Sequence, residues 1–286
     1  MKNQNVKIDV YEKITNIIIE KLEQGVAPWQ CPFNRYGLPK NYESGKHYRG
    51  INSFLLNFTG KTPYYLTFLQ AKELKGNVKK GAKGFPVIYY NFVEKEGENA
   101  GDEAKKIPFL KYYTVFSVDD VEGIEFDIPE GVKTANEKIE ACEQIVKLMP
   151  NAPSISEYIG RAYYSPIFDE IKMPEITEFS TGEEYYATLF HELAHSTGHK
   201  NRLNRPELTE MSQYGDYNYS KEELTAEMTA SFLCGFAGID NGTLDNSAAY
   251  IDGWLKVLKG DKKFIIDAAN KAQKAADYIL DVKFEN

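Results

Sequence analysis

Val10, Ile14, Ile17, Ile18 and Leu22 recur at helical spacing, and Gly25 follows them. The spacing predicts an amphipathic helix over residues 7–25, stopped by the glycine. After Pro28-Trp29 the periodicity is lost, and Pro32, Gly37 and Pro39 keep the chain irregular. A short apolar segment runs from Ser53 to Phe58, and Leu66–Leu74 reads as a short helix. Gly76 to Gly84 is a basic, glycine-rich loop. Phe85–Phe92 and Lys111–Val118 read as strands, with the polar run Glu94–Lys106 as a hairpin loop between them.

The second half has a different pattern. Arg161–Pro166 and Asp169–Pro174 read as a strand, a turn and a second strand ending at proline. Glu183 to His195 reads as a helix, with Gly198 as its stop. Glu222 to Cys234 reads as an amphipathic helix with small residues along one side, able to pack closely on the helix before it. The tail from Asp252 to Val282 reads as one or two helices. The elements predict an α+β chain of two domains, residues 1–128 and 129–286. The first is α+β and the second mostly helical.

No apolar run approaches the ~20 residues needed to span a bilayer. The first residues lack the apolar core of a signal peptide, so no membrane partner is expected. Cys31, Cys142 and Cys234 are odd in number, widely spaced and in no CxxC pair. They imply neither a disulfide framework nor a thiolate metal site, and a reducing cytoplasm is the expected compartment.

Three of the four histidines fall in the nine residues His191 to His199. The core of that window is His191-Glu192-Leu193-Ala194-His195, an HExxH pattern. Positions i and i+4 lie on one helix face about 6 Å apart, so both imidazoles can meet one ion. Glu192 is rotated about 100° from His191, beside the metal and not on it, where a general base belongs. Catalytic zinc needs a third protein ligand and an open position for water. Glu223 and Glu227, themselves i and i+4, are the candidates. One would bind the metal and the other would orient a ligating histidine through its free ring N–H. His199 is a rival ligand, but Gly198 ends the helix before it. Asn201 stands where a metzincin has its third histidine, which excludes that family. Zinc suits a His/His/Glu set best, and manganese or cobalt could also occupy it. The chemistry expected is hydrolysis of peptide bonds in an unidentified protein substrate. The strand preceding the metal helix would line the cleft and pair with extended substrate.

The formal charge of -8 is unevenly spread. Residues 1–128 carry 18 basic and 16 acidic side chains, and residues 129–286 carry a balance of -10. Residues 35–92 hold ten Lys and Arg against two acids, and fourteen aromatics lie between Trp29 and Phe92. Cations that follow phosphates and rings that stack on bases are how single strands are held. Lys46, Tyr48, Arg49, Asn52, Lys79, Lys80 and Lys83 are the candidate contacts to single-stranded DNA.

The pattern Glu-x-x-Ala-Glu-x-x-Ala from Glu223 resembles the second helix of the gluzincins. There the first acid is the ligand and the acid four residues on supports it. That resemblance favours Glu223 as ligand and Glu227 as support. Pro28-Trp29, Gly37–Asn41, Gly45–Asn52, Leu66–Ala71, Val78–Gly84 and Val115–Asp119 together resemble the N-terminal domain of ArdC-type antirestriction proteins. Tyr185–His199 and Glu222–Glu227 resemble that family's metallopeptidase domain. The resemblance implies a single-stranded-DNA-binding domain joined to a zincin-like, gluzincin-type peptidase domain. It also implies carriage on mobile elements, with protection of incoming DNA from restriction. A second reading is a protein that coats DNA and whose zinc domain is structural or no longer catalytic.

Overall fold

The computed structural model describes residues 9–30, 37–57, 62–95, 105–128, 135–209, 217–240 and 248–282. Cys31, Pro32 and the centre of the polar insert expected over Glu94–Lys106 lie outside the described residues. Helix α1 (Val10–Glu23) starts where Asp9 accepts the Tyr11 N–H at 3.0 Å. Its stripe of Ile14, Ile18 and Leu22 is buried. A two-residue strand β1 (Lys40–Asn41) is followed by α2 (Ile51–Asn57), the apolar segment seen in the sequence.

The stretch expected as one helix over Leu66–Leu74 is divided between strand β2 (Tyr64–Thr67) and helix α3 (Phe68–Glu73). The cause is local. Thr67 Oγ1 accepts the Gln70 N–H at 3.2 Å, and Gln70 Oε1 accepts the Thr67 N–H at 2.9 Å. This reciprocal cap starts the helix at Phe68 and frees Leu66 for the sheet. Strand β3 (Asn77–Val78) lies inside the expected glycine-rich loop. Strands β4 (Phe85–Lys95) and β5 (Lys105–Ser117) form a hairpin longer than the sequence predicts, and β6 (Val121–Glu122) pairs back on β3. The sheet order is β1-β2-β5-β4, with β1 parallel to β2 and the remaining pairs antiparallel.

Helix α4 (Ala135–Leu148) precedes a three-stranded sheet of β7 (Ser154–Glu157), β8 (Tyr163–Ser165) and β9 (Glu170–Met173). Strands β8 and β9 form the hairpin that the sequence predicts. With β7 on the far side of β9, β8 is an edge. Helices α5 (Gly182–Ser196), α6 (Pro206–Thr209), α7 (Tyr217–Ala237), α8 (Ala248–Gly260) and α9 (Phe264–Ile279) complete the chain. Helix α7 is not one-sided as its sequence implies, because every residue from Leu224 to Cys234 is buried. Ala226, Thr229, Ala230 and Ser231 are small enough to let α4, α5, α6, α8 and α9 pack around it.

The largest apolar cluster draws on both halves of the chain. Ile14, Trp29 and Phe54 share it with Phe190, Phe232 and Trp254. Trp29 meets Trp254 edge-on at 5.0 Å between centroids, and Phe54 meets Phe232 at 4.7 Å. The Thr15 hydroxyl donates to the Lys262 carbonyl at 2.7 Å. Replacing Trp254 by Ala should therefore cost about 3–5 kcal/mol. The loss should appear as one earlier transition of the whole chain in urea, followed by circular dichroism. An N-terminal half that unfolds at its original midpoint would contradict the shared core.

Candidate metal centre

Helix α5 is positioned at both ends. Thr181 Oγ1 accepts the Glu184 N–H at 3.1 Å, and Glu183 and Glu184 stand in the first turn, where negative charge favours the helix. At its other end the Arg202 guanidinium donates to the Ser196 carbonyl at 2.6 Å and pairs with Asp169 in the β8–β9 turn. The hairpin is thereby fastened against the helix.

His191 and His195 turn their Nε2 atoms toward each other, 3.1 Å apart. From α7, Glu223 brings Oε2 to 3.7 Å from His191 Nε2 and Oε1 to 3.5 Å from His195 Nε2. One donor atom from each of the three lies within 4.8 Å of the others, the only such grouping of His, Cys, Asp or Glu among the described residues. Two imidazole nitrogens and a carboxylate oxygen, buried and convergent, fit a borderline divalent ion. His191 and His195 sit close enough that they cannot both carry a proton at their facing nitrogens. Burial, then the neighbouring His195, pushes the His191 pKa down to about 3. Burial opposes charge on His195 also, but Glu223 and Glu222 override it and raise the pKa to about 9.

Glu192 is buried beside this cluster, and its carboxyl hydrogen-bonds the Tyr164 backbone on β8. Burial raises its pKa, and Glu223 adds to the rise against the pull of His195. His199 does not join the cluster. Its Nδ1 accepts the Asn201 N–H at 3.3 Å and lies 3.9 Å from Asp169.

The carboxylate at the outer ring nitrogen of His195 is Glu222, whereas the gluzincin resemblance favours Glu227 as the supporting acid. Glu222 Oε1 lies 3.2 Å from His195 Nδ1. Glu227 is buried one turn beyond Glu223 and is not among the converging donors. Arg205 holds Glu222 through both carboxylate oxygens, Nε donating at 2.8 Å to Oε2 and Nη2 pairing with Oε1. The same guanidinium donates to the Ala194 carbonyl at 2.9 Å and to Thr197 Oγ1. Burial works against the Glu222 charge, yet Arg205 holds the pKa down to about 2. Helix α5 ends just before Gly198, as the sequence predicts, and the close neighbour of that glycine is this arginine. A Cβ there would stand 2.9 Å from Arg205 Nη2 and from Leu208 Cδ2. Glu222 had a visible signal in its place next to Glu223. Arg205 had none, because 17 residues separate it from its partner.

The candidate DNA contacts do not form one cluster. Lys46 is exposed at a hollow of about 340 Å³ that Asn41, His47, Tyr48, Gln70 and Tyr113 also line. Tyr48 is only 8% exposed and belongs to a small core with Leu56, Tyr65, Val87 and Val115. Asn52 is committed to the fold: its amide donates to the Ile88 carbonyl at 2.8 Å and accepts the Ile88 N–H at 2.9 Å. Arg49 pairs with Asp277 on α9 and lines a second hollow of about 550 Å³ with Tyr90 and Lys274. Lys79, Lys80 and Lys83 are exposed around β3, and Lys79 Nζ donates to the Asp119 carbonyl at 2.8 Å.

Residues 8–116 match the family described as the N-terminal domain of anti-restriction factor ArdC, and residues 141–271 match the zincin-like metallopeptidase family. The crystal structure of metal-free antirestriction ArdC protein from the R388 plasmid superposes with a TM-score of 0.77. It is 38% identical, over 95% of this chain and 97% of that one. The Mn(II)-bound structure of the same protein gives a TM-score of 0.77 at 37% identity, over 97% and 100%. An uncharacterised protein, y4eC, of Sinorhizobium fredii is 32% identical over 95% of this chain and 91% of its own length. DNA primase TraC of Escherichia coli is 34% identical over 98% of this chain, which spans 20% of the primase.

Replacing Glu222 by Gln should weaken binding of Zn²⁺ or Mn²⁺ about 10–100-fold, read by calorimetric titration of the intact chain. Replacing Arg205 by Ala strands a buried carboxylate, so it should also cost about 3–5 kcal/mol of stability in a urea titration. Wild-type metal affinity in both variants would show that the His195 ring needs no such support.

Proposed function

Because the chain belongs to the ArdC antirestriction family, we propose that it is a single-stranded-DNA-binding metallopeptidase protecting incoming mobile-element DNA. The observation that carries the reading is the convergence of His191, His195 and Glu223 with Glu192 beside them. In this reading residues 1–128 supply the DNA-binding part and residues 129–286 the peptidase. DNA is the address and an unidentified protein is the substrate. The ArdC match in the first half supports DNA as partner, as does likeness to part of a DNA primase. No described helix is long and apolar enough to cross a membrane. The reading places the protein in the cytoplasm.

His191, His195 and Glu223 would hold zinc, or manganese or cobalt in its place. Such an ion supplies Lewis acidity and a bound water acidic enough to ionise near neutral pH. The remaining work belongs to the chain. Glu192 takes the proton of the attacking water at its carboxylate and later delivers it to the leaving amine nitrogen. Its burial makes it a stronger base than a solvated glutamate and favours its protonated form between the two transfers. Glu222, fixed by Arg205, accepts from His195 Nδ1 and so leaves the Nε2 lone pair free to ligate. The edge strand β8 lies beside Glu192 and can pair with an extended peptide.

Replacing Glu192 by Gln should lower hydrolysis of a fluorogenic peptide library by at least about 100-fold. Metal affinity and oligonucleotide affinity should stay unchanged. Loss of restriction protection in the same variant, scored by plasmid transfer into a restricting host, would tie protection to hydrolysis. Full protection without hydrolysis would refute the peptidase role and leave protection to DNA coating.

A further inference from the structure

We propose that single-stranded DNA lies on one outward face of the β4–β5 hairpin, stacked on Tyr89 and Tyr113, with one base seated in the adjoining hollow. This inference rests on the DNA-binding reading above and adds the residues and the mode of contact.

Alternate residues of a strand share a face, and the register pairs Tyr89 with Lys111 and Val87 with Tyr113. Tyr89, Lys111 and Tyr113 therefore point the same way. The two rings stand 5.9 Å apart and are 42% and 39% exposed. Closer to the molecule, the same face is covered: Val87 and Val115 are buried with Tyr48 and Tyr65. The rings thus sit at the rim of a packed core, on a paired strand that holds them still. Exposed rings held rigidly present stacking surface at little entropic cost.

The hollow beside the rings has a polar floor. Asn41 Nδ2 donates to Gln70 Oε1 at 3.0 Å, and Gln70 Nε2 donates to Glu43 Oε2 at 2.6 Å. Tyr113 forms part of the wall, so the hollow is continuous with the stacking face. Lys46 and His47 line it too, and burial together with Lys40 keeps His47 toward its neutral form. Its volume, about 340 Å³, suits one planar base with its sugar. Lys46 and Lys111 are exposed near the rings, placed to follow phosphates while the rings meet the bases. A duplex hides base faces in its stack, so this arrangement selects an unpaired strand. Tyr48 packs beneath this face and reaches the wall of the hollow, whereas Asn52 is bonded to the Ile88 backbone.

The test uses the full chain and a labelled mixed-sequence single-stranded oligonucleotide, read by fluorescence anisotropy at two salt concentrations. Tyr89→Ala and Tyr113→Ala should each weaken binding about 5- to 150-fold. Neither should alter the salt dependence, because a ring neutralises no phosphate. Tyr89→Phe keeps the ring and should keep the affinity. Lys46→Ala should instead reduce the slope of log affinity against log salt by about 0.7. Should Tyr113→Ala unfold in a circular dichroism melt, Tyr89→Ala decides alone. Tight binding by the unaltered chain with no loss in the alanine variants overturns the stacking face and leaves the DNA reading standing. No binding by the unaltered chain at low salt overturns both.

Discussion

The pairing of Arg205 with Glu222 in the interior is the constraint on which the second half is arranged. Helices α5 and α7 bring two imidazoles and three carboxylates, Glu192, Glu222 and Glu223, into one buried region. Charge in such a place costs several kcal/mol per ion unless each is matched. Arg205 cancels Glu222 and at the same time satisfies carbonyls at the end of α5. What remains is Glu223 and Glu192 facing two imidazoles, a donor set that fits a divalent cation. The glycine at position 198 leaves the guanidinium room to cross the helix end. A helix terminus, an ion pair and a histidine's orientation are thus one device.

That device depends on the wider packing of α7. A helix buried along its whole central stretch cannot shift without disturbing every neighbour. Its far side meets Trp29, Phe54 and their surroundings, which come from the N-terminal half. Matches to two separate families therefore coexist with one continuous apolar core. The consequence is mechanical: the β4–β5 hairpin and the His191, His195 and Glu223 cluster are carried on elements that share buried side chains.

The charge pattern acts on a longer scale. Ten cations against two acids over residues 35–92 favour phosphates on the N-terminal half, if a nucleic acid is the partner, while the -10 of residues 129–286 disfavours them. In the proposed reading a nucleic acid would be steered to the first half and kept away from the His191, His195 and Glu223 cluster. In the proposed reading the dispersed lysines would set attraction and salt dependence, and the rings of Tyr89 and Tyr113 with the hollow beside them would set where bases go.

Much of this was legible in the chain. The HExxH run determines a helix with two imidazoles on one face, because a turn of helix has only one geometry. The periodicity of residues 10–22 marks α1, and the charge asymmetry separates the two halves. The acid that the gluzincin resemblance favours, Glu223, is the one that converges with His191 and His195. Tertiary structure alone decided the partner of His195, because Glu222 reaches it across a helix pair and Arg205 reaches Glu222 across a turn. It alone decided which aromatics face water, since composition counts rings without orienting them. Tyr48 fills a core while Tyr89 and Tyr113, on a strand whose register is set by its partner, point out. Local spacing dictates what lies on one element, and only packing dictates which elements meet.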